Sequence, residues 1–400
     1  MDGREDDADP TAPAPSFRPV WEDEPDEAEL DSRPLPLPRP TAAARRRAEP
    51  ESHPALLALL AAAAEALARL DALAEVAPAP VRTGLLARLA FREAAGWLAS
   101  QGAWVHPSDL ALRAAGLTGQ FDTALLTGRT AAMMPNTQAR QARWAAPDDL
   151  AAAATGERAV SRALALARLL QALPRRYDPL ASAETAAAAL GPLGAGAMDP
   201  GRFRAWRGES LAAARAEAGA ELPPLLRAAA AAQGWMEAGV VDEPDALPAL
   251  AVAALRLVRS GTLRTVPLPF WVAWPTLGRD GSLPRLRPAA ARRIAATDAA
   301  AWTVTFLAFA AEAARAGLRE LDRLRTVLAA GEKLAAGRNQ GARLGDAVRL
   351  AVAAPVVTGR GLATSLGITL QTANRLLAVL TAGGMVREVT GRGSFRGFAA

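Results

Sequence analysis

Residues 359–380 read GRGLATSLGITLQTANRLLAVL, and their spacing predicts two short helices joined by a tight turn. Thr358 and Thr369 each precede a run with helical apolar spacing, where a hydroxyl can accept a hydrogen bond from the free amides of a helix start. Gly367 falls between the two runs, at a position where a turn needs a residue that tolerates positive φ. Gly383–Gly384 ends the second run. The stretch therefore predicts a helical hairpin.

The register of this hairpin is typical of a helix-turn-helix that binds DNA. Ala363 is small enough to let two helices approach each other, and Gly367 follows four residues later in the turn. The second helix carries no carboxylate on its outer face, and a purely structural hairpin has little reason to exclude acidic residues there. The inward positions, which pin the angle between the helices, are all apolar: Leu362, Leu366, Ile368, Ala373 and Leu376.

The front of the second helix offers polar side chains that suit a DNA major groove. Gln371 and Asn374 can each pair with adenine through two hydrogen bonds, and Arg375 can pair with guanine in the same way. Thr369 and Thr372 can contact a phosphate or a thymine methyl group. These five residues are the predicted DNA contacts of the helix.

A β-hairpin is predicted directly after this helix. Met385–Val389 alternates apolar and polar residues, and a TGRG turn and a return strand around Phe395 and Phe398 follow. Arg392 at the tip and Arg396 beside it suit the phosphate backbone or a narrow minor groove. The hairpin is therefore expected to form the wing of a winged helix-turn-helix.

The charge of the chain is unevenly distributed. The formal net charge is +5, although residues 1–31 hold 12 acidic and only 2 basic side chains. Residues 32–400 therefore hold 44 basic and 29 acidic side chains, a net charge of +15. A basic body favours a polyanionic partner, and double-stranded DNA is the partner that we expect. Because Lys333 is the only lysine, codon bias explains the arginine content equally well.

The composition argues against several kinds of site. The chain has no cysteine and two histidines, His53 and His106, which excludes thiolate ligands and nearly excludes a multi-histidine metal centre. No Walker-type loop or Ser/His/Asp set stands out, so we expect no catalytic residue, no cofactor and no metal. His106 is expected to be structural or incidental, with Ser108 or Asp109 capping the helix that follows it.

No stretch of the sequence is apolar enough to be predicted as a membrane span. The best candidate, residues 55–73, carries Glu65, Arg69 and Asp71 and is predicted to be an amphipathic helix. The lack of cysteine is typical of an intracellular protein. A cytoplasmic, nucleoid-associated location is therefore expected.

The predicted fold is mainly α: a multi-helix bundle with a C-terminal winged helix-turn-helix and a disordered N-terminal tail. Residues 1–52 contain 10 of the 30 prolines and form the tail, which either solubilises the chain or competes with DNA for the basic body. Residues 53–160 form an N-terminal helical region, residues 161–340 the helical body, and residues 341–400 the DNA-binding domain. An apolar stripe along a long helix after residue 298 leaves both a monomer and a homodimer open.

Aromatic residues of the body are expected to pack in its core. Trp97 lies in a predicted helix, and residues 202–207 (RFRAWR) suit the start of an amphipathic helix better than a surface for stacking on nucleic acid. Phe270, Trp271 and Trp274 lie in a proline-pinned loop and are expected to form a packing plug.

Residues 355–398 resemble the winged helix-turn-helix attached to many bacterial Fic-fold proteins. Residues 55–400 as a whole resemble an alphaproteobacterial, especially rhizobial, family of unknown function with a C-terminal helix-turn-helix. The stretch LPPLLRAAAAAQGWMEA (222–238), followed by a loop and a helix at 249–261, resembles the central helical hairpin of the Fic fold. The resemblance implies a degenerate Fic-like body.

The loop of that hairpin departs from the Fic pattern. Fic nucleotide transferases carry a loop that begins His-Pro-Phe and ends Gly-Asn-Gly-Arg, in which the histidine acts as base and the rest binds phosphates. Here residues 238–245 read AGVVDEPD, which lacks the histidine and puts three carboxylates where phosphates would bind. Repulsion would cost roughly 1 kcal/mol or more per charge pair. We therefore expect no enzyme activity.

The leading hypothesis is a sequence-specific DNA-binding protein that regulates transcription. One alternative is a Fic-type AMP transferase with a divergent active site. The other is an interaction protein that does not bind DNA.

Overall fold

The computed structural model describes residues 42–100, 105–116, 150–173, 178–194, 197–216, 222–241, 247–274, 299–336, 341–390 and 396–400. These residues are mainly helical, as predicted. The first six helices are α1 (Ala42–Glu75), α2 (Ala79–Ser100), α3 (Pro107–Ala114), α4 (Leu150–Ala172), α5 (Ala183–Leu190) and α6 (Pro200–Ala216). The next six are α7 (Pro224–Glu237), α8 (Leu247–Arg259), α9 (Ala299–Ala336), α10 (Gly341–Ala353), α11 (Gly359–Leu366) and α12 (Leu370–Ala382). The strands are β1 (Val357–Thr358), β2 (Arg387–Glu388) and β3 (Gly397–Ala399).

The chain divides into two units, residues 1–53 and residues 54–400. Of the first unit the structure describes the backbone of residues 42–53, where α1 begins, and residues 1–41 of the predicted tail lie outside the described residues. Helix α1 therefore begins earlier than the predicted start at residue 55. Alanine and arginine, which dominate residues 42–48, are among the best helix formers, and this local preference accounts for the early start.

Helix α2 runs through the centre of the second unit. Its side chains Leu85, Leu89 and Trp97 are buried, and it packs against α4, α9 and α10. Two glycines allow close approaches. A β-carbon on Gly84 would lie 2.0 Å from the Val352 carbonyl oxygen of α10, and a β-carbon on Gly96 would lie 2.1 Å from the Trp271 carbonyl oxygen in the loop after α8. Helix α2 therefore touches the C-terminal part of the chain directly.

The aromatic residues of the body that the structure describes pack in the core, as predicted. Phe203 and Trp206 of α6 are buried and meet Trp235 of α7 edge-on, with ring centroids 6.1 and 5.0 Å away. Residues 202–207 therefore supply core packing and no aromatic stacking surface. The loop after α8 likewise packs its aromatic side chains inward: Phe270 and Trp271 are buried and Trp274 is half-buried.

The C-terminal strands form an antiparallel sheet in the order β1-β3-β2. Strands β2 and β3 form the hairpin predicted after the second helix, with Glu388 opposite Phe398. Strand β1 was not predicted, and it places Val357 opposite the same Phe398. With only two residues it is too short to show the alternation by which a strand is recognised in sequence.

The apolar core continues without interruption from the body into the C-terminal elements. Val348 of α10 packs on Gly331 of α9, where a β-carbon would lie 2.4 Å from the Val348 Cγ1 atom. Helix α10 thus belongs to the core of the body and to that of the C-terminal hairpin. The predicted boundaries at residues 160 and 340 stay predictions.

Within the described ranges, no helix combines the length and the apolar character needed to cross a membrane. Those same ranges contain no group of three or more His, Asp or Glu side chains that could hold a metal ion.

Candidate nucleic-acid interface

Both helices of the C-terminal hairpin begin at the predicted threonine caps. The Thr358 hydroxyl oxygen accepts a hydrogen bond from the Gly361 amide at 3.0 Å, and the Thr369 hydroxyl oxygen accepts one from the Thr372 amide at 3.2 Å. Gly367 ends α11 with φ of 60°, in the left-handed region where glycine avoids strain. The sequence therefore predicted both helix starts and the turn between them.

The apolar positions of the hairpin lie inward, as predicted. Leu362, Ala373 and Leu376 are buried, while Leu366 and Ile368 are half-buried. These side chains hold α12 at a defined angle to α11 and leave its opposite face in solvent.

The two helices approach each other closely at Gly359, a contact that sequence reasoning missed. A β-carbon on Gly359 would lie 2.3 Å from the Asn374 side-chain oxygen and 3.3 Å from the Leu370 Cδ1 atom. The predicted small residue, Ala363, is half-buried one turn further along α11. The glycine-rich start of α11 was the available signal, since Gly359 is the residue directly after the Thr358 cap.

Four of the five predicted contacts of α12 are exposed. Gln371, Asn374 and Arg375 are three and four residues apart, which places them on one face of the helix. Thr369 is exposed as well, whereas Thr372 is half-buried and its hydroxyl lies 2.9 Å from that of Thr369. The two threonines therefore maintain the helix start, and the amide and guanidinium groups form the outward polar face.

Arg396 is exposed but carries an ion pair. Its Nε atom donates to Glu388 Oε2 at 2.7 Å, its Nη2 atom pairs with the same oxygen, and its guanidinium lies over the Phe398 ring. The hydrogen bond and the negative charge of Glu388 raise the pKa of Arg396. Arg396 is a predicted DNA contact, and without DNA its positive charge is balanced by Glu388. Arg392 lies outside the described residues.

Three further exposed side chains of this region were not selected from the sequence. Arg360 is the second residue of α11, Arg387 lies on β2, and Leu370 is the first residue of α12. The sequence signal for Arg360 was its position directly after Gly359. Arg387 gave no separate signal, because it was one polar residue of an alternating strand pattern. All three add to the exposed surface around α12 and the C-terminal sheet.

The N-cap of α3 corrects a prediction. His106 caps this helix, because its Nδ1 atom accepts a hydrogen bond from the Ser108 amide at 3.2 Å. Ser108 or Asp109 was expected in this role, but Pro107 occupies the first helical position, so the cap is His106, two residues before Ser108. His106 therefore has a structural role, which agrees with the prediction that it is structural or incidental.

Helix α3 lies against the C-terminal sheet. A β-carbon on Gly397 of β3 would lie 2.7 Å from the Leu112 Cδ2 atom, so the strand packs directly on the helix. Burial lowers the pKa of His106, and the positive charges of Arg387 and Arg92 lower it further. The histidine thus lies where the body meets the sheet.

Buried Arg88 of α2 binds the end of α10. Its Nη1 atom donates to the Val352 carbonyl at 2.6 Å, and its Nη2 atom donates to the carbonyls of Ala351 and Ala354 at 3.1 and 2.8 Å. The last carbonyls of a helix have no hydrogen-bond donors within the helix, and here the guanidinium of Arg88 supplies the donors. Burial lowers the pKa of Arg88 to about 10, and the carboxylate of Glu320 opposes that shift.

Residues 344–399 match the sequence model of a family described as "HTH DNA binding domain". The protein carries a C-terminal helix-turn-helix DNA-binding domain. The match begins within α10 and ends at the last residue of β3, so it includes the helical hairpin and the sheet. A search of curated proteins found no significant match to the chain.

Proposed function

We propose that this protein binds double-stranded DNA at specific sequences and regulates transcription through the helix-turn-helix domain. The observation that carries the proposal is the outward face of α12, where Gln371, Asn374 and Arg375 are exposed without an acidic neighbour on the helix. A recognition helix of this motif enters the major groove, so these side chains would meet base edges. Each well-formed pair with a base is worth about 1–3 kcal/mol of discrimination.

The hairpin β2–β3 is proposed as the wing. In this role Arg392 and Arg396 would contact phosphates or the minor groove beside the recognition helix. Arg396 would exchange its bond to Glu388 for a phosphate of the DNA backbone, because that phosphate accepts the same hydrogen bonds and the many phosphates of the duplex attract the cation together. The wing would therefore add affinity, while α12 would supply sequence preference.

The next part of the proposal concerns location and assembly. We place the protein in the cytoplasm at the nucleoid, as a monomer or a homodimer. A dimer would select two half-sites about 34–36 Å apart, so the spacing of selected sites distinguishes the two states.

We propose no enzymatic activity for the Fic-like body, since the chain has no histidine after residue 106 to act as base. The acidic loop that replaces the Fic motif lies largely outside the described residues. Incubation of the protein with labelled nucleotide triphosphates and Fic substrates should yield no transfer. Any labelled product would support the alternative of a divergent AMP transferase.

The test of DNA binding is selection of sites from a random duplex library with the full-length chain, followed by titration with Arg375→Ala. Loss of the Arg375 contact should weaken binding to the selected site by about 5- to 150-fold and leave binding to unrelated DNA nearly unchanged. Arg158→Ala is the matched control, because Arg158 is an exposed arginine of α4.

The outcome against the proposal is equally definite. If Arg375→Ala kept both affinity and sequence preference, the docking of α12 would be wrong. A full-length protein that fails to bind DNA even at low salt would favour the interaction protein, because phosphate contacts strengthen as salt is lowered.

A further inference from the structure

We propose that Leu370 contacts the 5-methyl group of a thymine, so that the preferred DNA carries a thymine beside the adenine bound by Asn374. This inference rests on the proposed function, because it requires α12 to lie in the major groove. It adds an apolar contact to a surface whose other predicted contacts are polar.

The first observation is the exposure of Leu370. Its side chain is 53% exposed, at the first position of α12 and between the polar residues Thr369 and Gln371. In the described part of the helix-turn-helix domain it is the one large apolar residue that is exposed, since the others of this kind lie in the body: Leu57, Val76, Leu222 and Val304. The apolar group is thus at the leading end of the proposed recognition helix.

The second observation is that Leu370 lies beside the start of α11. Its Cδ1 atom lies 3.3 Å from the position that a β-carbon on Gly359 would occupy, and the Asn374 side-chain oxygen lies 2.3 Å from the same position. Both side chains therefore fill the space left by this glycine, one helical turn apart on the same face. Contact with the start of α11 restricts Leu370 before binding, which reduces the entropy that DNA binding must remove.

The chemistry of the groove identifies the base. The methyl group of thymine is the apolar group that the four bases present in the major groove, and a leucine has no donor or acceptor for any other edge. Asn374, beside it, is suited to adenine. The pair therefore selects neighbouring A·T base pairs. 5-Methylcytosine carries a methyl group at the same place, so the experiment must separate these two sources.

The experiment uses the full-length chain and its selected site. Each thymine is replaced in turn by deoxyuridine, which differs only in lacking the methyl group. We expect one replacement to weaken binding by about 3- to 10-fold, in line with the burial of one or two carbon groups. Leu370→Ala should bind the thymine site more weakly by a similar factor and should no longer distinguish thymine from deoxyuridine there.

Two further variants serve as controls. Leu370→Met keeps an apolar side chain and should retain sensitivity to the methyl group. Leu57→Ala removes an exposed leucine of α1, 60% exposed, and should leave binding unchanged. Circular dichroism of Leu370→Ala should match the parent chain, because the residue is at the surface.

The outcomes separate this inference from the function on which it rests. One contrary result is that replacing the sensitive thymine by deoxyuridine weakens Leu370→Ala as much as it weakens the parent chain, and another is that no thymine is sensitive. Either result would show that Leu370 does not contact a methyl group. If the selected site had cytosine at this position and bound better when it was methylated, 5-methylcytosine and not thymine would be the base. If selection yielded no preferred sequence, the proposed function itself would fail.

Discussion

Two arginines, one buried in the core and one exposed on the surface, show how differently the protein uses the same side chain. Arg88 is buried between α2 and α10, with four carbonyl oxygens as hydrogen-bond acceptors, three of them at the end of α10, and with Glu320 close by. Arg375 is exposed on α12, in the domain that the family match identifies as DNA-binding. The first arginine belongs to the folded structure, and the second is available to a partner. Burial, and not residue type, decides between these roles.

Arg396 lies between these two extremes. It is exposed like Arg375, yet it has an ion-pair partner in Glu388. Exposed ion pairs contribute little to stability, since water and salt screen both charges. The pairing therefore matters more for the availability of Arg396 to DNA than for the fold.

The largest effect is expected at the buried arginine. Arg88→Met should lower the free energy of unfolding by about 3–5 kcal/mol, because it leaves buried carbonyls at the end of α10 without donors. Urea unfolding followed by circular dichroism measures the loss. Arg82→Met, at an exposed arginine of the same helix, is the matched control. Equal stability of the two variants would show that Arg88 does not stabilise the junction.

An intermediate effect is expected at His106, where the body meets the sheet. Its pKa is lowered in the folded state, so the unfolded chain binds the proton more tightly. Stability should therefore rise with pH between the lowered pKa and the ordinary value of 6.5, and fall on acidification, since a protonated Nδ1 can no longer accept the Ser108 amide.

The variant for this test is His106→Asn, because asparagine is a good N-cap that does not titrate in this range. It should flatten the pH dependence of unfolding below pH 6.5, whereas His106→Ala should also lose about 0.5–2 kcal/mol of capping. An unchanged pH profile in His106→Asn would assign the dependence to other groups.

The smallest effect is expected at the surface pair. Glu388→Gln removes the negative charge that neutralises Arg396, so DNA affinity should rise a few-fold with little change in stability. The slope of log affinity against log salt should stay nearly the same, because Arg396 contacts a phosphate in both proteins and the variant only removes the cost of breaking the ion pair. Arg396→Gln should abolish this gain. If it persisted in the double variant, the gain would come from the loss of acidic charge alone.

Most local features of the helix-turn-helix were predictable. The Thr358 and Thr369 caps, the Gly367 turn and the hairpin after α12 depend on residues within a few positions of one another, so their pattern is visible in the chain. The predicted burial of aromatic residues in the body was right for a similar reason, since helical spacing places them on one face.

Two of the missed features involve residues far apart in sequence. Arg88 is 264 residues from Val352, and Leu112 meets Gly397 only because α3 packs on the sheet. The cap at His106 was missed for a local reason, since the sequence suggested two better capping residues after the proline. The ion pair of Arg396 with Glu388 required the strand register.

The sequence by itself determined the helical class, the two capped helices with their glycine turn, and the outward set Gln371, Asn374 and Arg375. Each of these follows from backbone preference and from the periodicity of a single helix. Only the tertiary structure decided that α10 ends on Arg88, that Gly359 admits Leu370 and Asn374, and that Arg396 is paired. These depend on which distant groups become neighbours in a shared core, where burial and hydrogen bonding assign each side chain its partner.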